Sequence, residues 1–315
     1  MSMTEKEALH TAARRFCIDR MTSLPPHLHF GDQRLPPRTL PAEFWARIWL
    51  LDAVLLDIEA VTPDDFATTD ALREYLLLAG STAQTAATRR QETNLATAAV
   101  TQDQRDRFCT YVATLGTDDL REVQPLPYRR LLNLREERRV WATLDERWGT
   151  NGKFYWYPLQ VGDPPGTALA FQAEWFKVRV PTKRLHQILE ERGIRRVWAL
   201  MEGIFAPAYE MDTALLDPEY RGDECYWTAG EMDWLLYVSH ESSITVAGDW
   251  FVDAIKATWP DWQEHVYTGW DYVRPAASEG CIAGESHGNR RWISRQSIID
   301  SASSSSRHRG CRWRA

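Results

Sequence analysis

The sequence predicts an α+β protein in which a helical N-terminal half packs on a C-terminal, mostly antiparallel sheet with flanking helices. Two observations support this class. Apolar residues recur every three or four positions through much of residues 1–149, which is the period of an amphipathic helix. After Asn151-Gly152, short β-favouring runs alternate with turn residues, which is typical of strands. A strand of five or more residues before Lys153 would contradict this division.

Helix starts are expected at polar residues that are followed three positions later by Glu, Asp or Gln: Thr4, Thr62, Thr101 and Asn133. This spacing is typical of a capping box, in which two side chains satisfy the first free N–H groups of the helix. A strongly amphipathic helix is predicted by the apolar stripe Phe44, Ile48, Leu51, Leu55 and Ile58.

Strands are expected in the second half at Lys153–Leu159, Val197–Met201, Tyr209–Leu215, Cys225–Thr228, Trp234–Ser239 and Ile244–Ala247. In the third of these, Tyr209 and Met211 share one face while Glu210 and Asp212 share the other. The residues between the last two strands, His240–Ser243, fit a four-residue hairpin loop.

Three regions are expected along the chain: a helical region at 1–149, a tryptophan-rich α+β region at 150–274, and a disordered tail at 275–315. The tail contains the Ser303–Ser306 run and little apolar periodicity. Seven arginines against Glu285 and Asp300 give its last part a net charge of +5, so the rest of the chain carries −7 − 5 = −12. We expect truncation after Pro275 to leave the melting temperature nearly unchanged.

Several classes of protein are excluded by composition. No run of about 18 apolar residues is present, so we expect no membrane span. The N-terminus has no basic segment followed by an apolar run, which argues against secretion. The five cysteines are scattered and form no C-x-x-C pair, so we expect a cytoplasmic protein without a metal or cofactor. The acidic body would repel phosphate backbones, which argues against nucleic-acid binding.

Two short motifs resemble functional sites. Gly284-Glu-Ser-His-Gly288 matches the G-x-S-x-G nucleophile elbow, and Asp300 and His308 follow in the order of that hydrolase fold. Too few residues remain after Gly288 to return an acid and a histidine to the serine, so we reject this motif. His27-x-His29 could ligate a metal, but it lies in a proline-rich segment with few possible further ligands.

The most concentrated polar cluster is Ser239-His240-Glu241-Ser242-Ser243. His240 and Glu241 are candidate catalytic acid–base residues. Neighbouring strand residues point to opposite faces, so the two can act together only if the turn bends them toward each other. The alternative is an ordinary hairpin turn whose polar side chains satisfy free backbone groups.

Tryptophan is unusually dense, because eleven of the fifteen residues of this type fall between Trp141 and Trp270. Most are expected in the core, since each ring buries a large area. Trp227, Trp262 and Trp270 lack a clear apolar pattern and are candidates for a binding surface.

Acidic residues are concentrated at 201–233, where nine carboxylates face one cation, Arg221. The candidate binding residues among them are Glu210, Asp212, Asp223, Glu224 and Asp233. Because aromatic residues are interspersed with these acids, the segment predicts a surface that attracts a basic protein.

Two functions remain open. In the first, the chain is a non-catalytic interaction module, and in being acidic, tryptophan-rich and α+β it is similar to bacterial immunity proteins, which neutralise basic nuclease-type toxins. In the second, it is an enzyme with an aromatic-lined pocket and acid–base residues at His240 and Glu241. The sequence favours the interaction module.

Overall fold

The computed structural model describes residues 3–23, 41–85, 95–150, 156–158, 166–203, 206–220 and 222–267. It confirms the α+β class, because helices dominate the N-terminal half and an antiparallel sheet lies in the C-terminal part. The chain divides into two compact units between Leu131 and Leu132. The helix that ends at Trp148, which the sequence analysis grouped with the N-terminal region, therefore belongs to the second unit.

The first unit contains α1 (Glu5–Thr22), α2 (Ala42–Glu59), α3 (Thr69–Thr82), α4 (Leu95–Thr114), α5 (Thr117–Arg121) and the short strand β1 (Arg129–Leu131). The predicted capping box begins α1: Thr4 Oγ1 accepts from the Glu7 N–H at 3.2 Å, and the Thr4 N–H donates to Glu7 Oε2 at 2.6 Å. All five residues of the predicted stripe in α2 are buried. Burial of that stripe holds α2 in the core of this unit.

Of two further predicted helix starts, the one at Thr62 is found but begins only a short helix, and the one at Thr101 is wrong. Thr62 begins only a single 3-10 turn, Pro63–Asp65, whose box is closed by the short Asp65 side chain, and α3 starts later, behind the N-cap residue Thr68. Thr101 lies inside α4, where its hydroxyl donates to the Thr97 carbonyl at 2.8 Å. A threonine in the interior of a helix satisfies its hydroxyl this way, so the capping-box spacing alone does not mark a helix start.

The second unit contains α6 (Leu134–Trp148), β2 (Ala168–Gln172), α7 (Ala173–Arg179), α8 (Thr182–Glu191), β3 (Arg196–Met201), β4 (Ala208–Asp212), β5 (Cys225–Thr228), β6 (Leu235–Val238), β7 (Ser243–Ala247) and α9 (Asp249–Thr258). Within the described part of this unit, the strands pair in the order β4-β3-β5-β6-β7-β2, and each of these pairs is antiparallel. The predicted alternation in β4 is confirmed: Tyr209 and Met211 are buried, whereas Glu210 and Asp212 are partly exposed.

Two expectations about this unit need correction. The strand predicted at Tyr209–Leu215 ends at Asp212 and continues as a 3-10 turn. Residues 156–158 of the strand predicted at Lys153–Leu159 are not in a strand, and the rest of it lies outside the described residues. The elements β2 and α7, which follow each other without a capping side chain, have no local sequence signal that predicts them.

Helices cover both faces of the sheet. On one face, Trp141 of α6 packs edge-to-face on Tyr226 of β5 at 5.5 Å, and Trp156 packs on Tyr237 of β6 at 6.0 Å. On the other face, Trp259 at the end of α9 packs on Phe171 of β2 at 5.1 Å. The sheet is therefore the middle layer of this unit, and polar residues gather where its strands end.

Several sequence predictions lie outside the described residues: the G-x-S-x-G motif, the His27-x-His29 pair, Trp270 and the whole segment from residue 268 onward. Among the helices that are described, none is both long enough and apolar enough to cross a membrane.

Candidate functional site

The antiparallel register separates the predicted acidic surface into two groups. Asp212 pairs with Arg196 at the start of β3, whereas Glu202 follows Met201 at its other end. The backbone N–H of Glu202 donates to the carbonyl of Glu224 at 2.9 Å, so these two lie together. Because six steps of about 3.3 Å separate Arg196 from Glu202 along the strand, the residues opposite Arg196 lie about 20 Å from Glu202.

We name the two ends after one residue of each, the Asp212 end and the His240 end. The Asp212 end carries Glu210, Asp212 and Asp233, because Asp233 lies in the β5–β6 connection that begins opposite Trp198. The His240 end carries Glu202, Glu224, His240 and Glu241. Only the second end brings the candidate catalytic pair together with candidate binding residues.

Glu224 is the central residue of the His240 end. Its side chain is only 7% exposed, and its Oε1 contacts His240 Nδ1 and accepts the His240 backbone N–H at 3.2 Å. Its Oε2 accepts a hydrogen bond from the Tyr237 hydroxyl. Glu224 precedes β5 and, by strand alternation, shares a face with Tyr226, which pairs with Tyr237 across β5 and β6.

The two tyrosines connect Glu224 to a second carboxylate. The rings of Tyr226 and Tyr237 stack with centroids 4.5 Å apart. The Tyr226 hydroxyl donates to Glu202 Oε1 at 2.7 Å, and the Tyr237 oxygen lies 3.3 Å from the same atom. Burial, followed by nearby negative charges, raises the pKa of both phenols well above the ordinary value. Both hydroxyls therefore stay protonated and act as donors at physiological pH.

The turn between β6 and β7 bends His240 and Glu241 toward each other, as acid–base cooperation would require. His240 Nε2 lies 2.6 Å from Glu241 Oε1. The Ser239 N–H donates to the Ser243 carbonyl at 3.1 Å, and the Glu241 N–H donates to Ser239 Oγ at 3.0 Å. Ser242 closes the turn with φ at +59°, a left-handed conformation that L-residues adopt at a cost.

The imidazole of His240 is held between two carboxylates. Burial alone would lower the pKa of His240, but the hydrogen bond and charge of Glu224, with the charges of Glu241 and Glu202, outweigh it and raise the pKa above 6.5. The side chain remains 43% exposed. The His240 end therefore holds a partly solvated imidazole among three carboxylates, an environment that favours the protonated form of the ring.

The remaining predicted binding residues lie elsewhere. Trp227 is only 7% exposed and pairs with Leu236 on the sheet face opposite Tyr226, so it belongs to the core. Trp262 is partly buried, packs edge-to-face on Phe171 at 6.4 Å and has Lys256 Nζ 4.7 Å from its ring centre. Neither indole is part of the His240 end, and Trp270 is not described.

Sequence reasoning missed Glu202, Tyr226 and Tyr237 as members of this site. Strand alternation could have placed Glu224 and Tyr226 on one face, since they are two residues apart. Their proximity to Tyr237 and Glu202 depends on the register of three strands, which no local pattern specifies.

Nothing in the described part of the chain suggests a metal centre, because no three His, Cys, Asp or Glu side chains there are arranged to hold an ion. Comparison with known proteins finds no matching family, no similar curated protein and no similar solved structure. The site's own geometry is therefore the basis for a functional proposal.

Proposed function

We propose that the protein is a non-catalytic interaction module that binds a basic protein through the His240 end. The observation that carries this proposal is the convergence of Glu202, Glu241 and the buried Glu224 around a single partly exposed imidazole, where Glu224 acts through its charge and not by contact with a partner. With His240 protonated, the formal charges of these four side chains sum to −3 + 1 = −2. The hydrogen bonds within the group fix the positions of the charges before a partner arrives, which lowers the ordering cost of binding.

Glu219, next to Tyr220, and Asp223, next to Glu224, add acidic groups to the segment that leads into β5, and this segment also holds Arg221, which lies outside the described residues. Tyr220, in the same segment, is 40% exposed, and its ring centre is 6.5 Å from that of His240. Tyrosine is enriched at protein interfaces because it supplies contact area at small entropy cost, and acidic groups around it steer basic partners.

The proposed surface is smaller than the one expected from sequence. Asp212 lies opposite Arg196, about 20 Å along the strand from Glu202, and Glu210 lies opposite Trp198, about 13 Å from it. At physiological salt the Debye length is about 8 Å, so charges at that end contribute little to docking at the other. The Asp212 end therefore provides a matched control.

The experiment compares two charge reversals of equal size. Glu219→Lys with Asp223→Lys changes the His240 end, and Glu210→Lys with Asp212→Lys changes the Asp212 end. Each tagged variant and the parent are used to capture partners from native lysate with chemical crosslinking, after circular dichroism has shown that each variant folds. A basic protein that the parent and the Asp212-end variant capture, and the His240-end variant does not, supports the proposal. Equal capture by all three proteins refutes it.

The setting we propose for this interaction is the cytoplasm, without nucleic acid. Cys17, Cys109 and Cys225, the cysteines among the described residues, carry free thiols, which supports a reducing compartment. The overall charge of −7 supports the absence of nucleic acid, because an acidic protein repels a phosphate backbone.

One observation favours catalysis as a second candidate function. Buried Glu224 holds His240 Nδ1, an arrangement that orients the other ring nitrogen for acid–base chemistry. Incubating parent and His240→Gln protein with a metabolite extract, followed by mass spectrometry, tests it. Conversion of a compound by the parent, reduced about 10²-fold or more in the variant, would support an enzyme. No conversion by the parent would leave docking as the better account.

A further inference from the structure

We propose that Arg20 and Arg47 form a binding site for the phosphate group of a small ligand, where the end of α1 meets the start of α2. This proposal goes beyond the docking function and does not depend on it, because both arginines lie in the first unit and the His240 end lies in the second. It rests on the contacts that fix the two guanidinium groups and on the donors that these contacts leave over.

Ser23, which follows α1, connects the two arginines. Its hydroxyl donates to the Arg20 carbonyl at 3.2 Å, and its own carbonyl accepts from Arg47 Nη2 at 3.5 Å. Burial, followed by the charge of Arg20, lowers the pKa of Arg47, so the two charges act on each other. A guanidinium nevertheless stays protonated in a protein. Two like charges are therefore held near each other at this end of α1.

Each guanidinium lies over an aromatic ring of its own helix. Arg20 Cζ is 5.0 Å from the centre of the Phe16 ring. Arg47 Cζ is 5.2 Å from the centre of the Phe44 ring. Arg20 Nε also donates to Oε1 of the buried Gln104, in α4, at 3.1 Å. Because the face of a ring attracts a cation, both side chains are held in place before a ligand arrives, which lowers the entropy cost of binding.

Neither arginine forms an ion pair with a carboxylate among the described residues. Glu43 lies one turn before Arg47 in α2, a spacing that allows an ion pair, yet the two do not form one. Asp103 of α4 is near enough for the charge of Arg20 to act on it, but both of its oxygens accept from Arg107, at 2.9 Å and 2.8 Å. Arginines that are half-buried, as these two are, usually have a counter-ion.

Most donors of the two guanidinium groups have no described acceptor. A guanidinium has five N–H donors. Arg20 uses its Nε, on Gln104, and Arg47 uses Nη2, on Ser23. Arg47 Nε is buried and has no hydrogen-bond partner in the part of the chain that the structure describes. An unpaired buried donor is costly, so this atom favours a ligand that brings an acceptor.

The two charges match a phosphate group better than a carboxylate. A phosphate monoester carries about −1.5 to −2 charges at pH 7 and three strong acceptor oxygens, so it can accept from both arginines at once. A carboxylate carries one charge and two oxygens. The overall charge of −7 repels a long polyanion such as nucleic acid, whereas a small ligand responds mainly to charges within the Debye length of about 8 Å. The ligand class is therefore a small phosphate monoester.

The test is a titration of the full chain with inorganic phosphate at constant ionic strength, followed by nuclear magnetic resonance of the arginine Nε–H groups. We expect the Arg20 and Arg47 signals to shift until they saturate. The signal of Arg121, an exposed arginine paired with Asp118, should stay in place. Acetate, with a single charge, should bind about tenfold more weakly. Shifts that do not saturate, or that are equal at all three arginines, would overturn the proposal.

Two variants that each remove one positive charge from the first unit provide the comparison. Arg47→Gln should weaken phosphate binding about tenfold or more, because it removes one of the two forks. Arg121→Gln should bind phosphate as the parent does. Phosphate should also raise the melting temperature of the parent and of Arg121→Gln but not that of Arg47→Gln. An Arg47→Gln protein that is folded by circular dichroism and binds phosphate as tightly as the parent would show that the proposal is wrong.

The size of the ligand is tested by comparing phenyl phosphate with a phosphoserine peptide in the same titration. Tighter binding of phenyl phosphate supports a small ligand. Tighter binding of the peptide would overturn that part of the proposal and would assign the phosphate to a modified protein.

Discussion

Arg14 and Glu59 form a two-pronged ion pair in the interior of the first unit. Arg14 Nε and Nη2 lie 3.2 Å and 3.1 Å from Glu59 Oε1, and the Glu59 side chain is 0% exposed. On the other side, Arg129 Nε of β1 lies 3.4 Å from Glu59 Oε2. One buried carboxylate thus joins α1, α2 and β1.

Glu59→Gln should destabilise the first unit strongly. Removing the charge takes from Arg14 and Arg129 the buried carboxylate that they share, and breaking such a buried pair costs about 3–5 kcal/mol. Urea unfolding followed by circular dichroism measures the change in midpoint. Asp118→Asn, which breaks the exposed pair with Arg121, is the matched control and should shift the midpoint little. Equal shifts in the two variants would contradict this account of the buried network.

His10 should make the protein sensitive to acid. Burial lowers the pKa of His10 from 6.5 to about 4, against the opposing effect of its hydrogen bond to the Ile58 carbonyl at 3.0 Å. Between about pH 6.5 and pH 4, the unfolded state binds a proton on His10 that the folded state does not bind. The stability that neutral, buried His10 contributes is therefore complete above about pH 6.5 and is lost as the pH falls toward 4. The free energy of unfolding changes with pH by at most about 1.4 kcal/mol per pH unit for this one group.

The measurement is the free energy of unfolding as a function of pH, in the parent and in His10→Gln. Glutamine keeps an N–H donor for the Ile58 carbonyl but does not titrate, so the variant's curve should be flatter between about pH 4 and pH 6.5. Parallel curves for the two proteins would show that His10 is not the titrating group.

Gly248 lies where a side chain cannot be accommodated. It precedes α9 with φ at +98°, and a Cβ there would be 2.2 Å from the Asp233 carbonyl oxygen. Gly193 also has a positive φ, +82°, but a Cβ there would meet nothing within 4 Å. We expect Gly193→Ala to cost about 1 kcal/mol, from the backbone conformation alone.

Gly248→Ala should cost more than Gly193→Ala, about 3 kcal/mol or more, because the clash adds to the conformational strain. Thermal unfolding of the two variants gives the comparison directly. A Gly248→Ala protein as stable as Gly193→Ala would mean that α9 does not approach the β5–β6 connection as closely as the structure has it.

Local sequence patterns predicted the helices best where a single capping side chain determines the N-terminus of the helix. The capping boxes at Thr4 and Asn133 are both present, because each needs only a residue and its neighbour three positions on. Thr101 has the same spacing but lies in mid-helix, where it bonds the preceding turn. The strand β2, with the sequence ALAFQ, lacks polar alternation and leads directly into a helix, so periodicity did not reveal it.

Part of the candidate site was also predictable from residues that are close together in sequence. His240 and Glu241 are adjacent in sequence and share one turn, so local reasoning could find them. Glu224 was assigned to an acidic surface, yet it is buried and bonded to both Tyr237 and His240. That role depends on strand pairing between residues far apart in sequence, which composition and spacing do not encode.

The central claim is that a basic partner docks at the His240 end, and its most direct test is the association rate of the captured partner at increasing salt. We expect Glu219→Lys with Asp223→Lys to slow association about tenfold or more at low salt, because charges at an interface act mainly on encounter. The difference should vanish near 1 M salt, where the Debye length is about 3 Å. Glu210→Lys with Asp212→Lys should associate about as fast as the parent. A His240-end variant that binds at the parent's rate in low salt would contradict the account.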